Sequence, residues 1–342
     1  MKDQPTAFAI IGHGHIGKRH AAVIKGNEGA RLLAVCDSDV RTLSGVPDDM
    51  AFTDIREMLS AHPGIEVVNI CSPNGLHAEH ALLAVQHDKH VVIEKPMALN
   101  TADCDILINE AKKRNKHIFC VMQNRFSPPS AWIKQVVSDG LLGDIYMVQV
   151  NCYWNRDERY YTGDTWHGTA DLDGGTLFTQ FSHFMDTMLW LFGDITDLQA
   201  QFADFNHRHL TAFEDSGMVQ FKFVRGGIGS WQYSTSVYDR NFESSIRIIG
   251  EKGTVCLGGQ YMNEVTYCHI EHYIMPHLEP TAAPNNYGAY TGSAANHHFI
   301  IQNVLDVLHR GAPIATTAEE GRMVVNAIER IYALRPSSLL RS

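Results

Sequence analysis

Ala7-Phe8-Ala9-Ile10-Ile11 runs directly into Gly12-His13-Gly14-His15-Ile16-Gly17 near the start of this 342-residue chain. An apolar run without a polar break predicts a strand buried on both faces. Glycines then fall at the first, third and sixth positions of the turn, and helix-compatible residues follow to Lys25. Each glycine has its own steric task in a turn that meets a phosphate. Gly12 permits the tight turn, Gly14 lets the backbone approach a pyrophosphate, and Gly17 lets the helix lie close on the strand. The helix start offers free N–H groups and the positive end of its dipole, with His13 and His15 lining the turn.

Glycine-rich turns alone are common, so the next segment carries weight. Arg31-Leu32-Leu33-Ala34-Val35-Cys36 is a second apolar run, and it ends in Asp37. A carboxylate there accepts hydrogen bonds from adenosine ribose hydroxyls and repels a 2′-phosphate, so the expectation is NAD rather than NADP. The pattern then repeats. Thr53 and Asp54 cap a short helix through Ser60. A strand at Val67–Cys71 ends in Ser72-Pro73-Asn74, and His77 opens a helix to about His87. The strand His90–Ile93 ends in Glu94-Lys95-Pro96, and a helix follows from Thr101 to Arg114. Ile118–Met122 closes the series at Gln123-Asn124-Arg125. Right-handed crossovers put all these strand ends on one edge, where open α/β sheets bind ligands. Gly12, Asp37, Ser72, Asn74, Glu94, Lys95, Gln123 and Arg125 are therefore expected along one crevice.

From about residue 124 the alternation changes. A helix near Ser130–Ser138 leads into long strands at Ile145–Trp154, Leu198–Phe205, Gly217–Val224, Gly229–Ser236 and Glu243–Gly250, read as a largely antiparallel sheet. A helical stretch from Phe178 to Phe192 interrupts them, Pro276–Pro284 reads as a loop, and helices near His297–His309 and Thr317–Leu334 close the chain. The expected organisation is α/β with two domains, 1–123 and 124–342, the closing helix being able to pack back on the first.

Two elements carry candidate chemistry. Lys95 follows a strand directly and precedes a proline, where X-Pro bonds allow a cis peptide. To work as a base it must fall by ~3 units from its reference value of ~10.4, which desolvation and a nearby cation can supply. Thr179, His183 and Asp186 share a face if Phe178–Phe192 is one helix, a polar stripe on an apolar element. Gly174 and Gly175 just before it permit close approach of another backbone or a ligand.

A formal charge of −10 argues against nucleic-acid binding. No apolar run approaches the ~20 residues of a membrane span, and with the first strand following Pro5 directly no signal peptide is expected. Seven scattered cysteines without a C-x-x-C pattern indicate free thiols in a reducing cytoplasm. Among 19 histidines, His207/His209 and His269/Glu271/His272 lack a supporting ligand set, so no metal is expected.

Gly12 to Gly17, Ser72-Pro73-Asn74 with His77, Glu94-Lys95-Pro96, and Asp173-Gly174-Gly175 with His183 and Asp186 together resemble the glucose–fructose oxidoreductase/inositol dehydrogenase (Gfo/Idh/MocA) family over nearly the whole chain. The resemblance implies an N-terminal Rossmann fold and a C-terminal α/β domain with a large, mainly antiparallel sheet. It implies NAD as cofactor, with His15, Ile16 and His77 joining the strand-end residues that bind it, and Lys95 and His183 as the catalytic pair. The family pattern has an aspartate four residues before that histidine, where this chain has Thr179. Asn151–Trp154, Trp166-His167-Gly168-Thr169, Gln180–His183 and Ile249–Val255 further resemble bacterial UDP-N-acetylglucosaminuronate 3-dehydrogenases of polysaccharide biosynthesis. That likeness implies a sugar-nucleotide substrate oxidised at C3. Thr179, Gln180 and His297 would then touch it, Arg125, Arg156 and Arg159 would meet its negative charge, and Trp154, Tyr160, Tyr161 and Trp166 would offer faces for uracil or sugar. A dehydrogenase of inositol or a free sugar, an NAD-dependent glycosidase and a non-catalytic NAD sensor are the alternatives. A sheet face left without helices should bury itself against a second copy, giving a dimer or tetramer.

Overall fold

The computed structural model describes residues 4–162, 166–286 and 290–339. The chain divides into two compact units, Met1–Met122 with His297–Val325, and Gln123–Asn296 with Asn326–Ser342. His297–Val325, which the sequence reading left beyond residue 124, is thus grouped with the first unit.

The first unit holds six parallel strands: β1 (Thr6–Ile11), β2 (Ala30–Cys36), β3 (Ala51–Phe52), β4 (Val67–Ile70), β5 (His90–Ile93) and β6 (Ile118–Cys120). Their order is β3-β2-β1-β4-β5-β6, which places β1 and β4 side by side where the winding reverses. Every residue of β1 is buried, as its unbroken apolar run requires. The crossovers are α1 (His15–Lys25), α2 (Ile55–Ala61), α3 (His77–Gln86) and α4 (Thr101–Lys113). Asp54 and Asn100 cap α2 and α4 through their side chains. The two-residue β3 has no periodic pattern and was not foreseen.

In the second unit, α5 (Pro128–Ser138) leads into a seven-stranded sheet. Its strands are β7 (Ile145–Tyr153), β8 (Ile195–Ala203), β9 (Ser216–Phe223), β10 (Ile228–Ser234), β11 (Glu243–Gly250), β12 (Gly253–Gly258) and β13 (Glu264–Ile270). The order is β13-β12-β11-β7-β10-β9-β8, antiparallel except for the β7–β10 pair. The inward face (Val150, Val219, Trp231, Tyr233, Ile246) is buried against α8 (Ser182–Phe192) and its neighbours, with Phe181 6.0 Å from Tyr233 ring to ring. On the other face Met147, Met218, Ile228 and Ile249 are exposed. The remaining helices are α6 (Glu158–Tyr161), α7 (Thr176–Thr179), α9 (His297–Arg310) and α10 (Ala318–Tyr332), and β14 (Pro284–Asn286) pairs with β15 (Thr291–Ala294). The division between units falls within α10, while α9 packs on α1.

The expected helix Phe178–Phe192 is in fact two, α7 and α8, broken at Gln180-Phe181. Gly174 and Gly175 have positive φ (85° and 123°), and a Cβ on Gly175 would lie 2.6 Å from the Tyr332 hydroxyl. That hydroxyl accepts from the Leu177 N–H at 2.7 Å and fixes the start of α7. Among the described residues no helix is long and apolar enough to cross a membrane.

Candidate active site

The residues singled out by sequence fall in both units. In the first unit the glycine turn behaves as its spacing requires. Gly12 has φ +90°, and a Cβ there would sit 2.5 Å from the Cys71 carbonyl group; a Cβ on Gly17 would lie 2.0 Å from the Gly12 oxygen. A Cβ on Gly14 would meet nothing within 4 Å. Gly14 and His15 are exposed, Ile16 half-buried, and α1 begins at Gly14 with neither a side-chain cap nor an acid in its first turn. An uncapped helix start of this kind presents N–H groups to a phosphate. Asp37 is half-buried; its carboxylate accepts from the backbone N–H of His13 at 2.6 Å and of Asp39 at 2.9 Å. It thereby ties the end of β2 to the glycine turn.

The next strand ends carry Ser72, half-buried with its hydroxyl 2.9 Å from His80 Nδ1, and Asn74, buried at the start of a short 3-10 turn. His77, expected at the cofactor, is engaged by the backbone of its own unit. Its ring is buried, with Nδ1 2.7 Å from the Pro96 carbonyl oxygen and Nε2 2.8 Å from that of Ser72. Both ring nitrogens are engaged by backbone. Lys95 is half-buried, its N–H donates to Glu94 Oε2 at 3.2 Å, and the Lys95–Pro96 peptide is cis.

Glu94, expected at the cofactor, points into the protein instead. His20 Nε2 lies 2.9 Å and His297 Nε2 3.4 Å from its Oε1, and all three side chains are buried. Burial works against its charge, yet the two imidazoles hold the carboxyl well below the ordinary carboxylate range. His297 therefore belongs to this cluster in the first unit rather than to a substrate surface. His20, Glu94 and His297 offer three donor atoms within 4.8 Å of one another, a set able to hold a metal ion. The separation between His20 and Glu94 is that of a hydrogen bond, which closes the pair on itself. The sequence reading passed over His20; its signal was a histidine three residues past Gly17, on the buried face of α1.

In the second unit, Gln123 and Asn124 are buried in a 3-10 turn, and the Gln123 carbonyl accepts from Asn296 Nδ2 at 3.3 Å. The expected arginine cluster is dispersed. Arg125 Nε and Nη2 grip both oxygens of Asp186 at 2.7 and 2.5 Å, the side chains being 4% and 1% exposed. Arg156 donates to Gln180 Oε1 (2.7 Å), the Asn155 carbonyl (2.6 Å), Asn241 Oδ1 (3.1 Å) and the Thr291 carbonyl (3.2 Å). Its guanidinium lies 4.8 Å over Trp154 and 5.1 Å over Tyr160 and Tyr290. Arg159 is half-exposed and paired with Asp157. Arg125 and Arg156 are thus cross-links of the fold, not free charges for a diphosphate.

The aromatic residues pack on one another. Tyr160 is buried between Tyr161 (4.9 Å), His167 (4.3 Å) and Tyr290 (4.8 Å), and its hydroxyl accepts from Gln180 Nε2 at 2.8 Å. Burial pushes the Tyr160 and Tyr161 phenols upward. Trp166 is half-buried against His167 at 3.9 Å. His183 is buried on the first turn of α8, one turn before Asp186. Thr179 ends α7 and does not share a helix with them. Its hydroxyl instead donates to Asp173, whose other oxygen accepts from Gly168 N at 2.8 Å. Burial pushes the Asp173 carboxyl upward, the hydrogen bonds from Gly168 and Thr179 opposing. A carboxylate is thus present beside Thr179 even though the position itself carries none. Of the clusters noted by sequence, His207 lies near Asp215 (3.8 Å) while His209 pairs with Glu158 (3.4 Å) and His272 with Glu271 (3.9 Å), so neither cluster converges.

Two family profiles match this chain. The NAD-binding Rossmann fold of the Gfo/Idh/MocA oxidoreductases covers residues 6–122, and the Gfo/Idh/MocA C-terminal domain covers 131–256. Among solved structures, the WlbA dehydrogenase of Chromobacterium violaceum in complex with NADH and UDP-GlcNAcA is 30% identical with a TM-score of 0.86, covering 98% of this chain and 94% of that one. The Bordetella pertussis WlbA dehydrogenase, with the same two ligands, is 28% identical with a TM-score of 0.85, covering 97% and 96%. A myo-inositol 2-dehydrogenase from Thermotoga maritima is 26% identical over 258 residues, 72% of this chain and 74% of its own.

Proposed function

This chain belongs to the Gfo/Idh/MocA family of NAD-dependent sugar-type oxidoreductases, and on that premise we propose that it oxidises C3 of a UDP-sugar bearing a uronate, such as UDP-GlcNAcA. The observation that carries this reading is the likeness, over almost the full length, to two dehydrogenases described in complex with NADH and that sugar nucleotide. The glycine turn and the uncapped start of α1 would hold the pyrophosphate, and Asp37 the adenosine ribose. When bound, NAD⁺ supplies the hydride acceptor. The remaining steps belong to this chain. As the ring C–H bond breaks, the alcohol becomes a ketone and its hydroxyl proton must leave. Lys95 and His183 are the two groups proposed for that proton, one accepting it and the other holding the oxygen.

Asp37 should make the enzyme prefer NAD, and Asp37→Ala should narrow the gap to NADP. The uncovered face of the seven-stranded sheet, with Met147, Met218, Ile228 and Ile249 exposed, is proposed to bury itself against a second copy, to be read by sedimentation. Substrate class is tested by steady-state NADH formation with UDP-GlcNAcA, UDP-GlcNAc and myo-inositol at saturating NAD⁺. The uronate nucleotide should give the highest kcat/KM. Faster turnover of inositol than of either nucleotide would end the sugar-nucleotide reading and favour the polyol one that the Thermotoga relative represents.

A further inference from the structure

We infer that Tyr332, at the end of α10, is a positioning residue: its hydroxyl sets the place of α7 and, through α7, that of His183. All the residues concerned belong to the second unit. α7 spans only Thr176–Thr179, and no side chain caps its start. A single turn has too few internal bonds to hold itself in place, so what grips it from outside decides where it lies. Two grips are present. The Leu177 N–H donates to the Tyr332 hydroxyl at 2.7 Å, and the Thr176 hydroxyl donates to the Glu214 carbonyl oxygen at 2.6 Å. Thr176, Leu177 and Glu214 are all buried, so losing either bond strands a polar group away from water.

The hydroxyl is itself held in place. The Arg335 guanidinium lies 3.6 Å over the Tyr332 ring, and Arg335 Nη1 donates to Glu214 Oε2 at 3.0 Å. The Tyr233 hydroxyl donates to the other Glu214 oxygen at 2.9 Å. Burial, and then the Glu214 carboxyl, push the Tyr332 phenol well above its ordinary range, so it stays neutral. The ring packs against Phe178 and Phe202, 5.7 and 6.5 Å between centroids. A phenylalanine would make the same packing; what the hydroxyl adds is the bond to Leu177. From there the placement is carried forward by consecutive turns. The Thr179 N–H donates to the Gly175 carbonyl and the Gln180 N–H to that of Thr176, both at 3.0 Å. The Phe184 and Met185 N–H groups donate to the Phe181 carbonyl at 3.0 and 3.1 Å. His183 lies within that last turn, the first of α8. A displacement of about 1 Å at a proton-transfer group can cost ~10²-fold in rate. This step rests on the proposed role of His183.

The test places Tyr332→Phe in two backgrounds. In the otherwise unmutated full-length protein it should lower kcat by about 10- to 100-fold on the fastest of UDP-GlcNAcA, UDP-GlcNAc and myo-inositol, with NAD affinity unchanged. In His183→Ala the same substitution should change kcat by less than about threefold, because the group it places is gone. An equal fall in both backgrounds would make Tyr332 a structural residue only, and no fall in the first would overturn the inference outright. Hydrogen exchange gives a readout independent of turnover. Tyr332→Phe should speed exchange of the Leu177 amide and of those up to Met185, and unchanged rates there would equally overturn the inference. Should Tyr332→Phe not fold, Thr176→Val removes the second grip and takes its place in both measurements. If His183→Ala turned over at the parent rate, the proton-transfer reading would fall and the kinetic step with it, while exchange at Leu177 would still decide what places α7.

Discussion

The two units meet their buried and half-buried polar needs with different chemistry. In the first, histidine does most of it: His20 against Glu94 and Asn69, His77 against two carbonyls, His90 against the His117 N–H. In the second, arginine does it: Arg125 with Asp186, Arg156 with four oxygens, Arg330 with Asp194, Arg335 with Glu214. Guanidinium keeps its charge at any ordinary pH, whereas imidazole changes state near neutrality. The first unit should therefore carry the acid sensitivity above pH 4, and the second should hold until its carboxylates protonate.

The largest expected effect treats the units alike, because each contributes one proposed proton-transfer group. Lys95→Met in the first and His183→Ala in the second should each lower kcat by ~10²–10⁴. NAD affinity, measured by fluorescence titration, should stay close to that of the parent in both. Near-normal turnover by either variant on a verified substrate would remove that residue from the mechanism.

The next effect belongs to the second unit alone. Arg125→Met strands the Asp186 carboxylate in a buried site and should cost about 3–5 kcal/mol in urea unfolding. Arg125→Met combined with Asp186→Leu should recover part of that loss, since no uncompensated charge remains. A selective rise in KM with stability intact would instead restore Arg125 as a substrate contact.

The contrast also explains what the sequence disclosed. The dinucleotide edge was legible because its determinants are local: three glycines, a helix start and an acid at the next strand end act through backbone sterics within 31 residues, Ala7 to Asp37. The second unit is built from pairs far apart in the chain. Arg125 finds Asp186 across 61 positions and Arg156 finds Thr291 across 135, so their charges read as available when they are already used. The start of α7 was hidden for a related reason: it is fixed by the Tyr332 hydroxyl, 155 residues from Leu177. β13 was missed because it is an exposed edge strand, without the apolar alternation that marks a half-buried one.

A smaller effect sharpens the reading of the glycine turn. Gly17→Ala puts a methyl 2.0 Å from the Gly12 oxygen, in fixed backbone, whereas Gly14→Ala meets nothing within 4 Å. The first should lower stability by ~1–3 kcal/mol, as overpacking does. The second should leave the melting temperature almost unchanged and weaken NAD binding, because the methyl enters the space proposed for the pyrophosphate. Equal losses of stability would mean that Gly14 is also a packing residue.

The smallest effect tests the histidine side of the comparison through His90, the first residue of β5. Its Nδ1 accepts the His117 N–H at 3.0 Å and its ring stacks on His117 at 5.1 Å. Burial, then the neighbouring His117 and Lys116, lowers its pKa from 6.5 to about 4. Protonation would also replace the accepting lone pair with an N–H and so lose the backbone bond. With the folded value depressed, the unfolded chain binds the proton more readily between about pH 6.5 and about pH 4. His90 therefore adds nothing to the pH dependence above that window. Stability falls as pH drops through it and levels off below. Because the ring is partly exposed, the contribution is discounted to about 1–2 kcal/mol. His90→Gln offers an amide oxygen to the same N–H and cannot take up a proton. Its stability should decline less steeply across the window, as read from urea midpoints at a series of pH values. An unchanged slope would move the acid sensitivity away from His90, to His117 or to the carboxylates of the second unit.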